Sequence, residues 1–383
     1  MTDPTGVARA APAGTVRRDV GDLDVVSPPG MTPSRQVAVR EDWLALTREA
    51  ALDPGLPIVD PHHHLWDKPG ERYLLDDLRR DLAEGHDVRA TVFIQCASML
   101  RADGPEEERS LGETEFVNGV AASAASGGYG PARACAGIVG MVDLTLGDRV
   151  APLLEAHRRI AGPRFVGVRN RTAWHPDPAV RPNITAPPPG PLGTDAFTAG
   201  ARVLARFGLP IDVWCYHTQL PLVLALARAV PELTVVLNHV GGPLGVGPFA
   251  GRSEAVFADW RREITALAVV PNVVVKLGGL AMEVGGWAFH RADRPPTSEA
   301  LAAAWRPYVE TCVAAFGPAR SMFESNFPVD KGMCGYGVLW NAFKRLAAGE
   351  SDEARRALFA GTAVRVYRLD RAPGCAGLAE LAA

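Results

Sequence analysis

Short runs of apolar and β-branched residues alternate along this chain with polar or glycine-rich loops and with longer segments of helical spacing. Apolar runs without internal alternation are typical of strands buried on both faces, as in a parallel sheet covered by helices. The pattern starts near residue 57 and continues to about residue 367. It predicts eight strands, at 58–64, 90–96, 135–144, 165–170, 210–216, 233–240, 272–280 and 321–327.

Helical spacing occurs between most of these strands and after the last one. The predicted helices cover 107–126, 150–161, 195–207, 220–230, 253–269, 298–316, 341–348 and 351–367. Eight strand units in one chain favour an α/β fold of the closed (β/α)8 TIM-barrel type in a single domain. The alternative is an open doubly wound sheet, but no GxGxxG motif follows the first strand, which weakens a dinucleotide-binding interpretation.

Three segments stand outside this alternation. Residues 1–44 are predicted to form an N-terminal extension, flexible or strapped across the surface, because the first 40 residues lack periodicity. The barrel is predicted over 45–383. Helical spacing is first seen at 40–50. Loops 65–88 and 175–194 are long, and both follow strands, so they are expected on the face where barrel active sites lie. The second is proline-rich and could be a stiff lid or plain surface filler.

Composition limits the partners. The chain has 383 residues and is 47% hydrophobic, so it can bury a large core. Its net charge is −3, and the sequence contains no basic block of the kind that binds nucleic acid or a membrane surface. A small-molecule substrate is expected, and a homodimer is the default assembly. No signal peptide or membrane-spanning run is evident, which predicts a cytoplasmic protein with reduced thiols. The cysteines are Cys96, Cys135, Cys215, Cys312, Cys334 and Cys375.

The first strand carries the densest candidate chemistry, in IVDPHHHLWD at 58–67. Side chains two residues apart in an extended chain point the same way, so Asp60, His62 and His64 share one face. Two converging imidazoles are half of a metal site, since neutral imidazole is a common zinc ligand. The alternative is a polar strand end whose histidines form local hydrogen bonds.

Polar residues also mark the ends of the other strands, and in a closed barrel they would meet at one mouth. These residues are Gln95, Asp143, Arg169, Asn170, His217, Asn238, His239, Lys276, Glu324 and Asn326. Taken singly, His217 could cap a helix and His239 could be a hydrogen-bonded core histidine. Lys276 among valines is costly to bury unless it faces a polar interior or an anion. The same reasoning holds for Arg169, and one anionic substrate group would satisfy both.

Six motifs together resemble the amidohydrolase superfamily, specifically the amidohydrolase-related branch with sugar-acid lactonases, pyrone-dicarboxylate lactonase and metal-dependent decarboxylases. The resemblance covers about 57–369 and is carried by VDPHHHLWD, FVGVRN, HTQLP, VVLNHVGGP, NVVVKLGG and SNFPVD. It implies a (β/α)8 barrel with a metal or water-activating site at its mouth. The family's HxH motif falls on His62 and His64, and its later histidines fall on His217 and His239.

One departure from the family matters. The family's aspartate after the last strand falls on Asn326, which offers a carbonyl oxygen but no basic carboxylate. Proton transfer would then pass to His239, Glu324 or Asp330. The resemblance, with that departure, predicts a divalent metal, zinc by preference, held by His62, His64 and His217 with Asn326 as a neutral contact.

The predicted function is hydrolysis of a small carboxylate-bearing lactone, ester or amide by a metal-activated water. His239 would exchange protons, Arg169 and Lys276 would bind the substrate anion, and Gln95 and Asn238 would add contacts to the substrate. Two alternatives stay open, a non-oxidative metal-dependent decarboxylase and a non-catalytic binder of small molecules on the same fold. His63, His86, His157, His175 and His290 are assigned to structural or surface positions.

Overall fold

A computed structural model describes residues 36–68, 71–180 and 190–382 of the chain. Eight parallel strands form one sheet in chain order, each beside the next. The last strand returns to the first through a parallel bridge between His63 and Phe327, and the His64 N–H donates to the Phe327 carbonyl oxygen at 2.7 Å. The predicted (β/α)8 barrel is therefore confirmed. Its strands are β1 Pro57–His63, β2 Asp87–Ile94, β3 Arg133–Gly140, β4 Phe165–Arg171, β5 Ile211–Trp214, β6 Val235–Leu237, β7 Val273–Leu277 and β8 Ser321–Phe323.

Helices follow the strands around the outside of the barrel, close to their predicted positions. The longer ones are Leu75–Leu82, Leu111–Ala125, Ala151–Ala161, Asp195–Arg206, Leu220–Ala229, Ser253–Ala268, Ser298–Phe316 and Tyr336–Leu346. The helix predicted at 341–348 thus begins five residues earlier, at Tyr336. The helix predicted at 351–367 consists of Asp352–Arg356, Ala357–Gly361 in π form and Thr362–Tyr367, and we call these consecutive segments the closing helix.

Two predictions about loops and helices were wrong. The segment 65–88 is not a loop, because it contains an antiparallel pair of short strands, Trp66–Lys68 and Glu71–Tyr73, and the helix Leu75–Leu82. The helical spacing at 40–50 gives only one turn, Glu41–Leu44. The proline-rich part of the loop predicted at 175–194 lies largely outside the described residues.

The interior of the barrel is sealed at the amino-terminal ends of the strands by the closing helix. The second residue of several strands points inward and joins one apolar cluster with the closing helix; these are Val166, Val236, Val274 and Met322. Tyr367 belongs to the same cluster and is 1% exposed. The Thr362 hydroxyl donates to the Pro318 carbonyl just before β8, at 3.0 Å. The opposite, carboxyl-terminal end of the barrel therefore carries the mouth.

The described part of the N-terminal segment runs across loops near the mouth. The Trp43 indole donates to the Ala292 carbonyl at 2.9 Å, and Glu41 pairs with Lys331 at 3.0 Å. Residues 1–35 of the predicted extension lie outside the described part, and the boundary at 44/45 stays a prediction. All six cysteines are free thiols. Among the described residues, no helix combines the length and apolarity needed to cross a bilayer.

Candidate active site

A buried glutamate joins two histidines at the mouth of the barrel. The Glu324 carboxylate lies 2.6 Å from Nδ1 of His62 through one oxygen and 2.7 Å from Nδ1 of His239 through the other. The His239 backbone N–H also donates to Glu324, at 3.1 Å. Nδ1 of His239 therefore donates to the carboxylate, which places the lone pair of a neutral His239 ring on Nε2, while Oε2 of Glu324, beside His62, accepts no hydrogen bond from the described residues. We call the two histidines, together with the glutamate between them, the bridged pair.

The backbone around the bridged pair leaves no room for ordinary side chains. A Cβ built on Gly279 would lie 2.3 Å from Nδ1 of His239, and one on Gly278 would lie 2.2 Å from the Glu324 carbonyl oxygen. His239 itself has φ +54° and Asn326 has φ +56°, in the left-handed region that non-glycine residues rarely adopt. Such strain persists where surrounding structure imposes it, and it is concentrated at functional sites.

Two cations flank His62. Nη1 of Arg169 lies 3.3 Å from its Nε2, so this nitrogen accepts a hydrogen bond, and Nζ of Lys276 lies 3.4 Å from its Nδ1. Burial lowers the pKa of His62 well below its ordinary value, and the positive charge of Lys276 lowers it further. His62 is therefore neutral at physiological pH. A neutral ring is the form that can accept a proton or bind a metal.

His64 lies beside His62 but makes different contacts. Its ring centroid is 5.0 Å from that of His62, and its Nδ1 lies 2.7 Å from the Ile94 carbonyl oxygen, to which it donates. It stacks on Trp66, with ring centroids 5.8 Å apart. Burial lowers the pKa of His64 well below its ordinary value. Its lone pair is therefore on Nε2, the tautomer common among metal-ligating histidines with a backbone partner.

His217 lies in a separate environment at the start of the helical segment after β5. Its Nδ1 accepts a hydrogen bond from the Leu244 backbone N–H at 3.3 Å, and its ring meets Phe249 edge-on. Burial lowers the pKa of His217 to about 4, so the ring is neutral with its proton on Nε2. A protonated Nε2 donates a hydrogen bond but offers no lone pair to a metal.

Lys276 and Asn238 converge on a carboxylate that the sequence analysis did not single out. Nζ of Lys276 donates to Asp212 Oδ1 at 2.7 Å, and Nδ2 of Asn238 donates to the same oxygen at 2.8 Å. All three side chains are fully buried. Gln95 donates from Nε2 to the Arg169 carbonyl at 3.3 Å, and Arg169 donates to the Gln95 carbonyl. Lys276 thus has an internal anion as its partner.

Asn326 meets another buried acid. Its Nδ2 donates to Asp330 Oδ1 at 2.8 Å, and the Ala281 backbone N–H donates to Oδ2 at 3.1 Å. Burial raises the pKa of Asp330 to about 8. Asp330 is therefore protonated at neutral pH in the folded protein, which disfavours it as the neutral-pH base considered in the sequence analysis.

The raised pKa of Asp330 predicts a loss of stability with increasing pH. Between about pH 4 and pH 8 the folded protein holds a proton at Asp330 that the unfolded chain has released, so the free energy of unfolding falls as the pH rises. The slope is about 1.4 kcal/mol per pH unit. Asp330→Asn should remove this slope, measured by urea unfolding at pH 5, 6, 7 and 8. Equal slopes in the two proteins would contradict the raised pKa.

The bridged pair offers a donor set that fits a divalent metal ion. One ligand atom from each of His62, His239 and Glu324 lies within 4.8 Å of the others, and all three residues are buried. Two imidazoles with one carboxylate are the donors of a known class of catalytic zinc sites. This group contains one predicted metal ligand, His62. Its other two members, His239 and Glu324, were predicted as proton-transfer residues. The ligand role of His64 stays a prediction, and the hydrogen bond accepted by Nδ1 of His217 disfavours the ligand role predicted for His217.

The sequence matches the family described as Amidohydrolase over residues 59–369. It is 34% identical over 336 residues to the uncharacterized protein y4mH of Sinorhizobium fredii, covering 82% of this chain and 99% of that protein. It is 28% identical over 340 residues to the L-fucono-1,5-lactonase of Burkholderia ambifaria, covering 82% and 97% of the two chains.

A crystal structure of an amidohydrolase from Burkholderia multivorans with bound zinc is also similar. It superposes with a TM-score of 0.62 at 25% identity and covers 82% of this chain and 99% of its own. The family match begins at the third residue of β1 and continues past the end of the closing helix, and residues 1–58 lie outside it.

Proposed function

The chain belongs to the amidohydrolase family and is a hydrolase, and from this we propose that it opens the ring of a small sugar-acid lactone. The bridged pair is the observation that carries the proposal, since it sets two imidazoles and a carboxylate at the mouth of the barrel. The L-fucono-1,5-lactonase of B. ambifaria and the L-rhamnono-gamma-lactonase of Scheffersomyces stipitis support a lactone as the substrate.

His239 is the proposed proton acceptor. It borders a cavity lined also by Gly242, Pro243, Gly279, Leu280, Met282, Val284, Gly285 and Trp287. A water in this region would lose its proton to Nε2 of His239 as its oxygen attacks the lactone carbonyl. Glu324 holds Nδ1 of His239, fixes the ring orientation and stabilises the imidazolium that forms. His239 then returns the proton to the ring oxygen as it leaves.

Arg169 is the proposed partner of negative charge in the reaction. Arg169 is 5% exposed and lies beside His62, and its guanidinium is always protonated. Charge develops on the carbonyl oxygen during attack, and the product of ring opening is a carboxylate, so a fixed cation there favours both. A carboxylate already on the substrate, as the sequence analysis predicted, would use the same group.

We propose zinc as the metal, held by His62 and by Oε2 of Glu324, which leaves Nε2 of His239 free to accept a proton. A divalent ion at these residues would polarise the lactone carbonyl. Protein purified without added metal is expected to contain close to one equivalent of zinc by elemental analysis, and the His62→Gln/Glu324→Gln double variant much less. Less than about a tenth of an equivalent in the wild type would contradict the zinc assignment and leave the lactone proposal intact.

The substrate proposal is tested with a panel of lactones. Purified protein should release acid from L-fucono-1,5-lactone or a related aldonolactone with kcat/KM of at least about 10⁴ M⁻¹s⁻¹, measured with a pH indicator. A His239→Gln variant is the matched control, and it should fall to the level of spontaneous hydrolysis. Equal rates for the wild type and this variant across the panel would refute the proposal.

A further inference from the structure

We propose that Tyr367, on the closing helix at the far end of the barrel, is a positioning residue for His62. This inference goes beyond the proposed function and rests on it only in assigning His62 to the reacting site. Among the described residues, the hydrogen bonds of the Tyr367 hydroxyl go to Asp212 and not to the bridged pair. Tyr367 acts through Asp212 and Lys276, which occupy the barrel interior between the closing helix and the mouth.

The contacts form an unbroken chain of short distances. The Tyr367 hydroxyl lies 2.7 Å from Oδ2 and 3.0 Å from Oδ1 of Asp212. Asp212 Oδ1 accepts from Lys276 Nζ at 2.7 Å. Nζ also donates to the Pro61 carbonyl at 2.8 Å and lies 3.4 Å from Nδ1 of His62. Every side chain in this series except Pro61 and Tyr367 is 0% exposed, and Tyr367 is 1% exposed.

Alternation along the strands explains why these groups meet. Asp212 is the second residue of β5, and Lys276 is the fourth residue of β7, so both side chains point into the barrel beside Val236 and Val274. Apolar neighbours provide no other hydrogen-bond partner, and an unpaired buried charge costs several kcal/mol. The carboxylate and the ammonium are therefore held in a single arrangement by the groups that bond them.

Lys276 is the residue of this series that contacts His62. It bonds the carbonyl of Pro61, whose peptide carbon is attached to the nitrogen of His62, and its charge faces the imidazole itself. The Tyr367 hydroxyl contacts both carboxylate oxygens, so it fixes the rotation of Asp212. Without that hydroxyl, Asp212 can turn toward its remaining donors, and Nζ of Lys276 follows. A displacement of this kind at His62 changes its 2.6 Å contact with Glu324, and small misplacements of catalytic groups lower rates strongly.

The protein contains a matched control for this proposal. The Tyr73 hydroxyl donates to Asp81 Oδ2 at 2.5 Å, and Lys331 Nζ donates to Asp81 Oδ1 at 2.7 Å. This set has the same chemistry, a tyrosine, an aspartate and a lysine, and it is also buried. Among the hydrogen bonds of the described residues, none joins this set to His62. Tyr367→Phe and Tyr73→Phe each remove one buried hydroxyl from such a set.

The first measurement needs no substrate. In full-length protein carrying ¹⁵N-histidine, the ring nitrogen resonances of His62 are assigned by their loss in His62→Gln. They should move in Tyr367→Phe and stay in place in Tyr73→Phe, since only the first change reaches the ring. Unchanged His62 resonances in Tyr367→Phe would overturn the proposal, as would equal changes in both variants.

The second measurement uses hydrolysis of the lactone. Tyr367→Phe is expected to lower kcat about tenfold with KM within about twofold of the wild type, while Tyr73→Phe leaves kcat within twofold. Thermal unfolding of both variants shows whether stability alone accounts for the change. A kcat in Tyr367→Phe equal to that of the wild type, or reduced equally in both variants, would overturn the positioning role. If the wild type hydrolyses no lactone, the proposed function fails and the resonances of His62 still decide this inference.

Discussion

Replacing Glu324 by Gln is expected to lower kcat/KM for lactone hydrolysis about a thousandfold. One oxygen of the carboxylate accepts from Nδ1 of His239 at 2.7 Å, and the other lies 2.6 Å from Nδ1 of His62. Glutamine keeps one of these oxygens and places an NH2 group where the other was. It also removes the negative charge that stabilises a protonated His239, so both orientation and charge are lost.

Two variants make this result specific. Glu324→Asp keeps the charge on a shorter side chain and should retain more activity than Glu324→Gln. Glu283→Gln changes a glutamate that is 45% exposed and 3.9 Å from Arg291, and it should leave kcat/KM within about twofold of the wild type. Circular dichroism and thermal unfolding should show that all three variants are folded. A decrease of less than tenfold in Glu324→Gln would contradict the role given to Glu324.

The barrel could be predicted because its strands are apolar on both faces and its helices are long. Such segments differ from loops in sequence over many residues, as in the VVVKL strand of β7 and the helix Ser298–Phe316. The hairpin of Trp66–Lys68 and Glu71–Tyr73 could not be predicted this way, since strands of three residues show too little alternation. The helix Leu75–Leu82 did carry a signal, with leucines at 75, 78 and 82.

The candidate site was predictable in its members but not in its pairings. Strand ends identified His62, His239 and Glu324 as neighbours, because a barrel collects strand ends at one mouth. Which of them share hydrogen bonds depends on backbone geometry across the barrel, including the left-handed conformation of His239. Spacing along a sequence does not contain that information. The ligand set predicted from the family resemblance therefore differs from the donor group in the structure.

The partner of Lys276 shows what the sequence could have indicated. A lysine among valines was predicted to need an anion, and an anionic group of the substrate was predicted to be that anion. Asp212, in the apolar strand IDVW, is the same kind of exception with the opposite charge. When two residues of opposite charge point into the same barrel, an ion pair between them is the first prediction, and a bound ligand is the second.

Lys276→Met is expected to lower the free energy of unfolding by about 3–5 kcal/mol, because it leaves the Asp212 carboxylate buried without its cation. Tyr367 and Asn238 still donate to Asp212, but neither carries a charge. Urea unfolding of the wild type and the variant measures the difference. Arg262→Met removes a cation from an exposed pair with Asp259 and should leave the free energy of unfolding nearly unchanged.

The double variant Lys276→Met/Asp212→Asn separates pairing within the protein from binding of a substrate. Removing both charges should recover most of the lost stability, since no uncompensated ion then remains in the barrel. If Lys276 instead contributes its charge mainly to an anionic substrate, KM for that substrate rises in the double variant far more than KM for a neutral lactone. An equal loss of stability in the single and double variants would contradict the pairing, because the cost would then come from lost packing of the lysine chain rather than from an unpaired carboxylate.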